Sequence, residues 1–199
     1  MIEAIKGKVS DLERTIIVNE EIKRIVSASA EIRLAAINAM LIAKRSGEKS
    51  VGFAVVSTEL RVFSRQLDGY MQSLTELISG LIYSVARMLN QSRMQRIVQT
   101  AMDQSKKAGV YIEKLACLKM EHMQIARQDI VKEWDVLTLQ ILRAERLCRT
   151  GVALSRSAKI EAAHGGDMAS TLGQMAAQIE GTVGSMRTIL MALKARVEQ

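Results

Sequence analysis

Apolar residues recur along this chain at alternating steps of three and four positions, and no proline interrupts them over 199 residues. A spacing of 3.5 residues places apolar side chains on one seam of a helix, and proline inside a helix costs about 3 kcal/mol, so both observations favour long packed helices. The clearest row consists of Leu60, Phe63, Leu67, Tyr70, Leu74, Leu77, Leu81, Met88 and Met102. We predict an all-α, elongated fold.

Glycines indicate where the helices end. Gly47 and Gly109 each lie in a polar segment between apolar rows, and the pair Gly165-Gly166 separates the last two rows. Asp167 is then a predicted N-cap, because its carboxylate can accept hydrogen bonds from the free amides of a first helical turn. The predicted helices cover about residues 2–46, 52–104, 110–163 and 168–198, joined by a tip at 47–51 and turns at 105–109 and 164–167.

The two middle helices have nearly equal lengths, which limits how the chain folds back. At 1.5 Å per residue each spans roughly 75 to 80 Å, so the last turn should return to the end of the molecule that holds Gly47. We predict a single domain over the whole chain, an antiparallel four-helix bundle or coiled coil. The shorter outer helices leave the middle pair overhanging or packed against a second copy, so a homodimer is a further expectation. Ser84, Gln91 and Gln95 interrupt the apolar row, and we expect looser packing there.

The charge pattern and the cysteines narrow the class of protein. The chain has 28 Lys and Arg scattered among 21 Asp and Glu, with no basic cluster, so no nucleic-acid partner is predicted. Cys117 and Cys148 lie in apolar helical pattern without the spacing of metal ligands, which indicates reduced core thiols in a cytoplasmic protein. Apolar runs such as residues 35–43 are shorter than the roughly 20 residues of a membrane span, so we expect a soluble chain without one.

Few residues are suited to catalysis or metal binding. Glu161 and His164 have the Glu-x-x-His spacing that places two metal ligands on one helix face. His122, the other histidine, has no glutamate three residues before it, so the second half of a di-metal site is missing. Trp134 lies on an apolar row and is expected in the core. We predict no enzyme, no catalytic residue, no metal site and no cofactor.

The segment around Gly47 is predicted to be a helical hairpin with a polar apex. Gly47 permits the left-handed backbone of a tight reversal, Ser46 and Glu48 keep the apex hydrated, and Gly52 allows a close approach of the backbone before Phe53. From the spacing alone, an ordinary pair of antiparallel helices accounts for this pattern.

The residue string of this hairpin resembles the signalling tip of methyl-accepting chemotaxis proteins. The resemblance is ungapped over residues 26–65 and rests on Asn38-Ala39, Ala43, Arg45, Gly47-Glu48, Gly52-Phe53-Ala54-Val55-Val56, Glu59 and Arg61. It implies a soluble signalling protein whose tip docks with the chemotaxis histidine kinase and its coupling adaptor. It also implies packing against other chemoreceptors at the tip.

The resemblance assigns roles to individual residues. The partner contacts that it implies are Leu34, Ile37, Asn38, Ile42, Arg45, Glu48, Phe53, Val55 and Val56, with Gly47 and Gly52 at the turn. Those on the first helix would contact neighbouring receptors, and those from Glu48 onward would face the adaptor. Ile42 and Val51 replace a family glutamate and arginine, which makes this tip more apolar. The alternative for Ile37, Val55 and Val56 is burial in the seam of the bundle.

Two other functions are open to a chain of this kind. A cytoplasmic helical-bundle sensor would bind a small ligand or a metal in its core, which elemental analysis and an absorbance spectrum would test. A purely structural bundle would form homo-oligomers through its overhanging helices, which light scattering would test.

Overall fold

The computed structural model is helical almost throughout the residues that it describes. These are residues 2–45, 51–104 and 110–198 for the backbone, and 12–45, 51–100, 114 and 117–198 for the side chains. The helices are α1 (Ile2–Arg45), α2 (Val51–Gln104), α3 (Val110–Ala162) and α4 (Ala169–Val197), with a 3₁₀ turn at Gly166–Met168. The predicted all-α fold is confirmed. Three helix bounds adjoin described residues, at Ala162, Ala169 and Val197, and each lies within one residue of its predicted position. The predicted apex and the predicted turn at 105–109 lie outside the described residues.

Contacts along the chain form two compact units. The first unit comprises Met1–Asn19 and Glu76–Leu137, and the second comprises Glu20–Thr75 and Thr138–Gln199. The helices α1, α2 and α3 contribute to both units, whereas α4 belongs wholly to the second. A single domain over the whole chain stays a prediction.

The core of the second unit is built from seams with a 3.5-residue repeat. On α1 the buried residues are Ile22, Ile25, Ser29, Ile32, Ala35, Ala36, Ala39 and Ala43. On α4 they are Leu172, Ala176, Ile179, Val183, Met186, Leu190, Leu193 and Val197. The small residues on α1 permit a close approach of neighbouring helices, and the Leu, Ile and Met side chains of α4 supply the bulk of the buried apolar volume.

Among the described side chains, the buried seam of α2 differs from the predicted row at two positions, and Met102 of that row lies outside them. Tyr70 and Leu77 are only half-buried, whereas Met71 and Ile78 are buried. The complete buried row is Phe53, Ser57, Leu60, Phe63, Ser64, Leu67, Met71, Leu74, Ile78, Leu81, Val85 and Met88. Both rows have a period of 3.5 residues, so spacing alone could not choose between them.

Polar contacts in the second unit join successive helices. Between α1 and α2, the Ser29 hydroxyl donates to Asp68 Oδ1 at 2.6 Å, and Arg33 Nη1 lies 3.3 Å from Asp68 Oδ2. Between α3 and α4, Glu180 accepts from both Arg156 and Lys159. In this unit a charged group therefore joins α1 to α2 and another joins α3 to α4.

A half-exposed ionic cluster on α3 and α4 is centred on a buried carboxylate. Glu145 is 8% exposed and accepts from Arg149 Nε at 2.8 Å and from Arg187 Nε at 2.9 Å. Hydrogen bonds from Arg149, together with those from Arg187, hold the pKa of Glu145 below its usual value of 4.5, against the opposing effect of burial. Burial raises the pKa of the neighbouring Cys148 thiol from 9.0 to about 12, so this thiol stays protonated at neutral pH.

Glu145→Gln is expected to lower the free energy of unfolding by about 1 kcal/mol at pH 7, because both arginines are partly exposed and regain hydration. A carboxyl whose pKa is depressed in the folded state stabilises the fold above its unfolded pKa and loses that effect as pH falls. The difference between the two proteins should therefore shrink below pH 4.5. Urea titrations at pH 7 and pH 3 measure it, and an unchanged difference would contradict the assignment.

Two sequence predictions near the last turn and the cysteines are wrong. Asp167 is not the N-cap of α4, because the helix begins after Met168 without a side-chain cap. Gly166 has a φ of 57°, and the turn is closed by backbone hydrogen bonds, including Met168 N–H to the Gly165 carbonyl at 3.2 Å. Cys148 is buried as predicted, but Cys117 is exposed.

Packing in the first unit is looser. Along α3, Met120 is exposed and Met123 is half-buried, whereas Ile130 and Leu137 are buried. Trp134, predicted in the core, is half-buried, and the Arg14 guanidinium lies 4.4 Å from its ring centroid. A cation over an aromatic face is favourable, so α1 and α3 meet here through a mixed polar and apolar contact.

Candidate docking site

One face of α1 carries large apolar side chains in contact with water. Leu34 is 60% exposed, Ile37 is 36% exposed, and Asn38 and Arg45 are also exposed. The spacing of three, four or seven residues between them places these side chains on one face of the helix. The opposite face holds the buried alanines of the seam. Since that seam already packs against other helices, the exposed face is available to a partner.

Leu41 extends this face and was not among the predicted contacts. Its side chain is 48% exposed, four residues after Ile37 and four before Arg45. Helical spacing from Ile37 places Leu41 on the same face, so the sequence contained a signal for this residue. The α1 face is therefore defined by Leu34, Ile37, Asn38, Leu41 and Arg45.

The first turns of α2 expose a second apolar pair. Val51 and Val55 are each 60% exposed and, four residues apart, lie on the same face of the helix. Val56 is half-buried, and Phe53 is 1% exposed on the core side of the helix. The ring of Phe53 thus supports the position of α2 from within the core and offers no surface to a partner.

The remaining predicted tip residues have varied surroundings. Ile42 is half-buried. Gly52 lies inside α2, and the carboxylate of Glu161 from α3 occupies the space that a β-carbon at this position would take. The close approach predicted at Gly52 is therefore made by a side chain. Gly47 and Glu48 lie outside the described residues.

The α1 face and the exposed pair of α2 belong to the same unit. Arg61 Nη1 of α2 lies 3.9 Å from Met40 Sδ of α1, next to Leu41 in sequence. Polar residues flank both apolar sets: Asn38 and Arg45 on α1, and Glu59 on α2, are exposed. Lys44 and Arg45 lie in the last turn of α1, where the helix dipole favours a positive charge.

Other kinds of site have less support in the described part of the chain. No group of three or more His, Cys, Asp or Glu side chains there could hold a metal ion. A groove of about 790 Å³ between α2 and α3 in the second unit is lined by polar side chains that include Gln66, Tyr70, Arg143 and Arg146. None of the predicted docking residues lines that groove.

One segment of α1 passes a test for a membrane span based on length and composition. It covers Leu12–Arg45, and 33% of its most apolar window is buried. The core helix of a soluble protein passes the same test, and this segment carries the buried seam described above. The absence of a membrane span stays a prediction.

No protein-family model matches the chain, and neither the curated proteins nor the solved structures include a significant match to it.

Proposed function

We propose that this chain is a soluble, cytoplasmic, chemoreceptor-like signalling protein whose α1–α2 tip docks with the chemotaxis histidine kinase and its coupling adaptor. The observation that carries the proposal is the row of exposed apolar side chains on the α1 face, with Val51 and Val55 beside the same tip on α2. Large apolar groups grouped on one face mark surfaces that a partner protein covers. The resemblance of residues 26–65 to the chemoreceptor tip supplies the class of partner.

The chemistry of the face suits a protein partner. An apolar centre with a polar rim is the usual anatomy of an interface, and here Asn38, Arg45 and Glu59 supply the rim. These exposed residues include no nucleophile paired with a base, so they are suited to binding a partner and not to catalysis. Other chemoreceptors, or a second copy of this chain in a homodimer, are further partners that the proposal includes.

We also propose that the second unit is an antiparallel four-helix bundle. Between α1 and α2, the contact at Ser29 is with Asp68, and the contact further along α1, at Met40, is with Arg61, earlier on α2. The contacts between α3 and α4 change in the same opposed sense, from Glu145 with Arg187 to Arg156 with Glu180.

Adaptor binding by the purified chain tests the docking proposal. Val55→Arg and Asn38→Arg each place a charged, longer side chain on the proposed surface, and we expect each to weaken binding at least tenfold, which corresponds to about 1.4 kcal/mol. Met191→Arg is the matched control, because Met191 is 54% exposed on α4, away from the predicted tip residues in sequence. Biolayer interferometry with immobilised adaptor measures the affinities.

Three results would contradict the proposal: no binding by the wild-type chain, unchanged affinity in both tip variants, or an equal loss in the Met191→Arg control. Circular dichroism on each variant verifies that the helices are intact, since all three positions are exposed and a charged side chain there should be tolerated. Light scattering on the same samples gives the oligomeric state, so a loss of binding caused by a change of assembly is recognised.

A further inference from the structure

A polar cavity lies between α2 and α3 in the first unit. Its volume is about 400 Å³, within the range of pockets that hold small molecules. The polar side chains that line it are Ser84, Arg87, Gln91, His122, Asp129 and Glu133. Ser84 and Gln91 are two of the residues that interrupt the apolar row of α2, so the cavity lies where the sequence predicts loose packing.

Two oxygen atoms in this lining are buried and lack a hydrogen-bond donor. They are Gln91 Oε1 and Glu133 Oε2. The other carboxylate oxygen of Glu133 accepts from the Ser84 hydroxyl at 3.0 Å. Buried acceptors without a donor are unfavourable, and nearly all of them in folded proteins are satisfied. Both atoms therefore require a donor that the described side chains do not supply.

The charges around the cavity favour a cation. Glu133 forms no ion pair among the described side chains, whereas Asp129 is paired with Lys132 at 3.3 Å. Arg87 also lines the cavity, but it forms no hydrogen bond with Glu133 Oε2. A carboxylate oxygen without a donor is stabilised by a positively charged one. A metal ion is disfavoured, because the acidic and imidazole groups here do not form a set of three ligands within the described part of the chain.

Apolar groups continue the cavity on one side. Ile125 and Ala126 belong to its lining, and a smaller adjoining cavity of about 170 Å³ shares Gln91 and His122 and includes Met94 and Met123. A ligand held at Gln91 and Glu133 thus has room for a short alkyl chain towards flexible methionine side chains.

We propose that this cavity binds a small primary alkylamine in its ammonium form. Two N–H groups of the ammonium donate to Gln91 Oε1 and Glu133 Oε2, the charge balances the Glu133 carboxylate, and the alkyl chain packs on Ile125 and the methionines. None of the residues that line this cavity is among the predicted docking residues. Such a ligand would be the input that a sensor requires.

Isothermal titration calorimetry with n-butylammonium chloride tests the proposal. Two further probes distinguish the contribution of the charge from that of the hydrogen bonds. n-Butanol lacks the charge, and tetramethylammonium lacks the N–H donors. We expect butylammonium to bind at least tenfold more tightly than either. Glu133→Gln, which keeps the shape and removes the charge, should weaken butylammonium binding at least tenfold, and Ala126→Leu should weaken it by filling the cavity.

Glu121→Gln is the matched control, because Glu121 is exposed on the same helix and does not line the cavity. It should bind butylammonium as the wild type does. No detectable binding by the wild type, equal binding of the three probes, or equal binding by Glu133→Gln would overturn the proposal. The single tryptophan, Trp134, adjoins Glu133, so its fluorescence reports whether each variant keeps the local fold. If Glu133→Gln disturbs folding, Ala126→Leu still tests the site, because it fills the cavity and leaves the polar groups in place.

Discussion

Ile78→Ala is expected to lower the free energy of unfolding by about 2 to 5 kcal/mol, whereas Leu77→Ala should lower it by about 1 kcal/mol or less. Ile78 has no exposed surface, and the removal of its side chain leaves a cavity among the packed residues of α2 and its neighbours. Leu77 is half-buried, so the space left by its truncation is filled by water. The two residues are adjacent and both aliphatic, which makes each the control for the other.

Urea unfolding followed by circular dichroism and by Trp134 fluorescence measures this pair. Ile78 and Trp134 both belong to the first unit, so the fluorescence transition should report the loss directly. Equal losses, or a larger loss for Leu77→Ala, would contradict the buried seam of α2 and would restore the row through Tyr70 and Leu77 that the sequence predicts. The experiment therefore decides between two seams that have the same period.

This choice of seam illustrates what the sequence could and could not predict about the fold. Helix bounds follow from local signals such as the Gly165-Gly166 pair, and the bounds at Ala162 and Ala169 were predicted within one residue. Which of two overlapping 3.5-residue rows is buried depends on where the neighbouring helices lie, and that is not a local property. Tyr70 fits the half-buried position because its hydroxyl stays near water.

For the candidate sites too, some residues could be predicted from the sequence and others depend on how the helices pack. Leu34 and Ile37 were predicted as contacts through the resemblance, and both are exposed. Leu41 follows from them by helical spacing. Phe53 was grouped with the contact residues because it stands in the resembling string, yet its ring is buried. Near the polar cavity, Ser84 and Gln91 were recognised as interruptions. Glu133, which accepts a hydrogen bond from Ser84, lies on another helix, and the pattern within one helix does not predict how two helices align.

The second large effect is expected where Gly151 of α3 packs against Phe63 of α2 in the second unit. Gly151 is buried, and a β-carbon at this position would overlap with the ring of Phe63, which is 2% exposed. Phe63→Ala should lower the free energy of unfolding by about 3 to 5 kcal/mol, because it removes a large buried ring. Gly151→Ala should lower it by about 1 to 2 kcal/mol, because overpacking outweighs the higher helix propensity of alanine.

The double variant Phe63→Ala/Gly151→Ala gives the sharper result. Once the ring is absent, the new methyl group enters the space that the ring occupied and fills part of the cavity. The double variant should therefore be no less stable than Phe63→Ala alone, with a coupling of at least about 1 kcal/mol. Gly181→Ala is the matched control, since an added β-carbon there meets nothing within 4 Å and should stabilise the protein by about 0.5 to 1 kcal/mol, with or without Phe63. Strictly additive losses of unfolding free energy at Phe63 and Gly151 would mean that the two residues are not in contact. The packing of α2 on α3 described here would then be wrong.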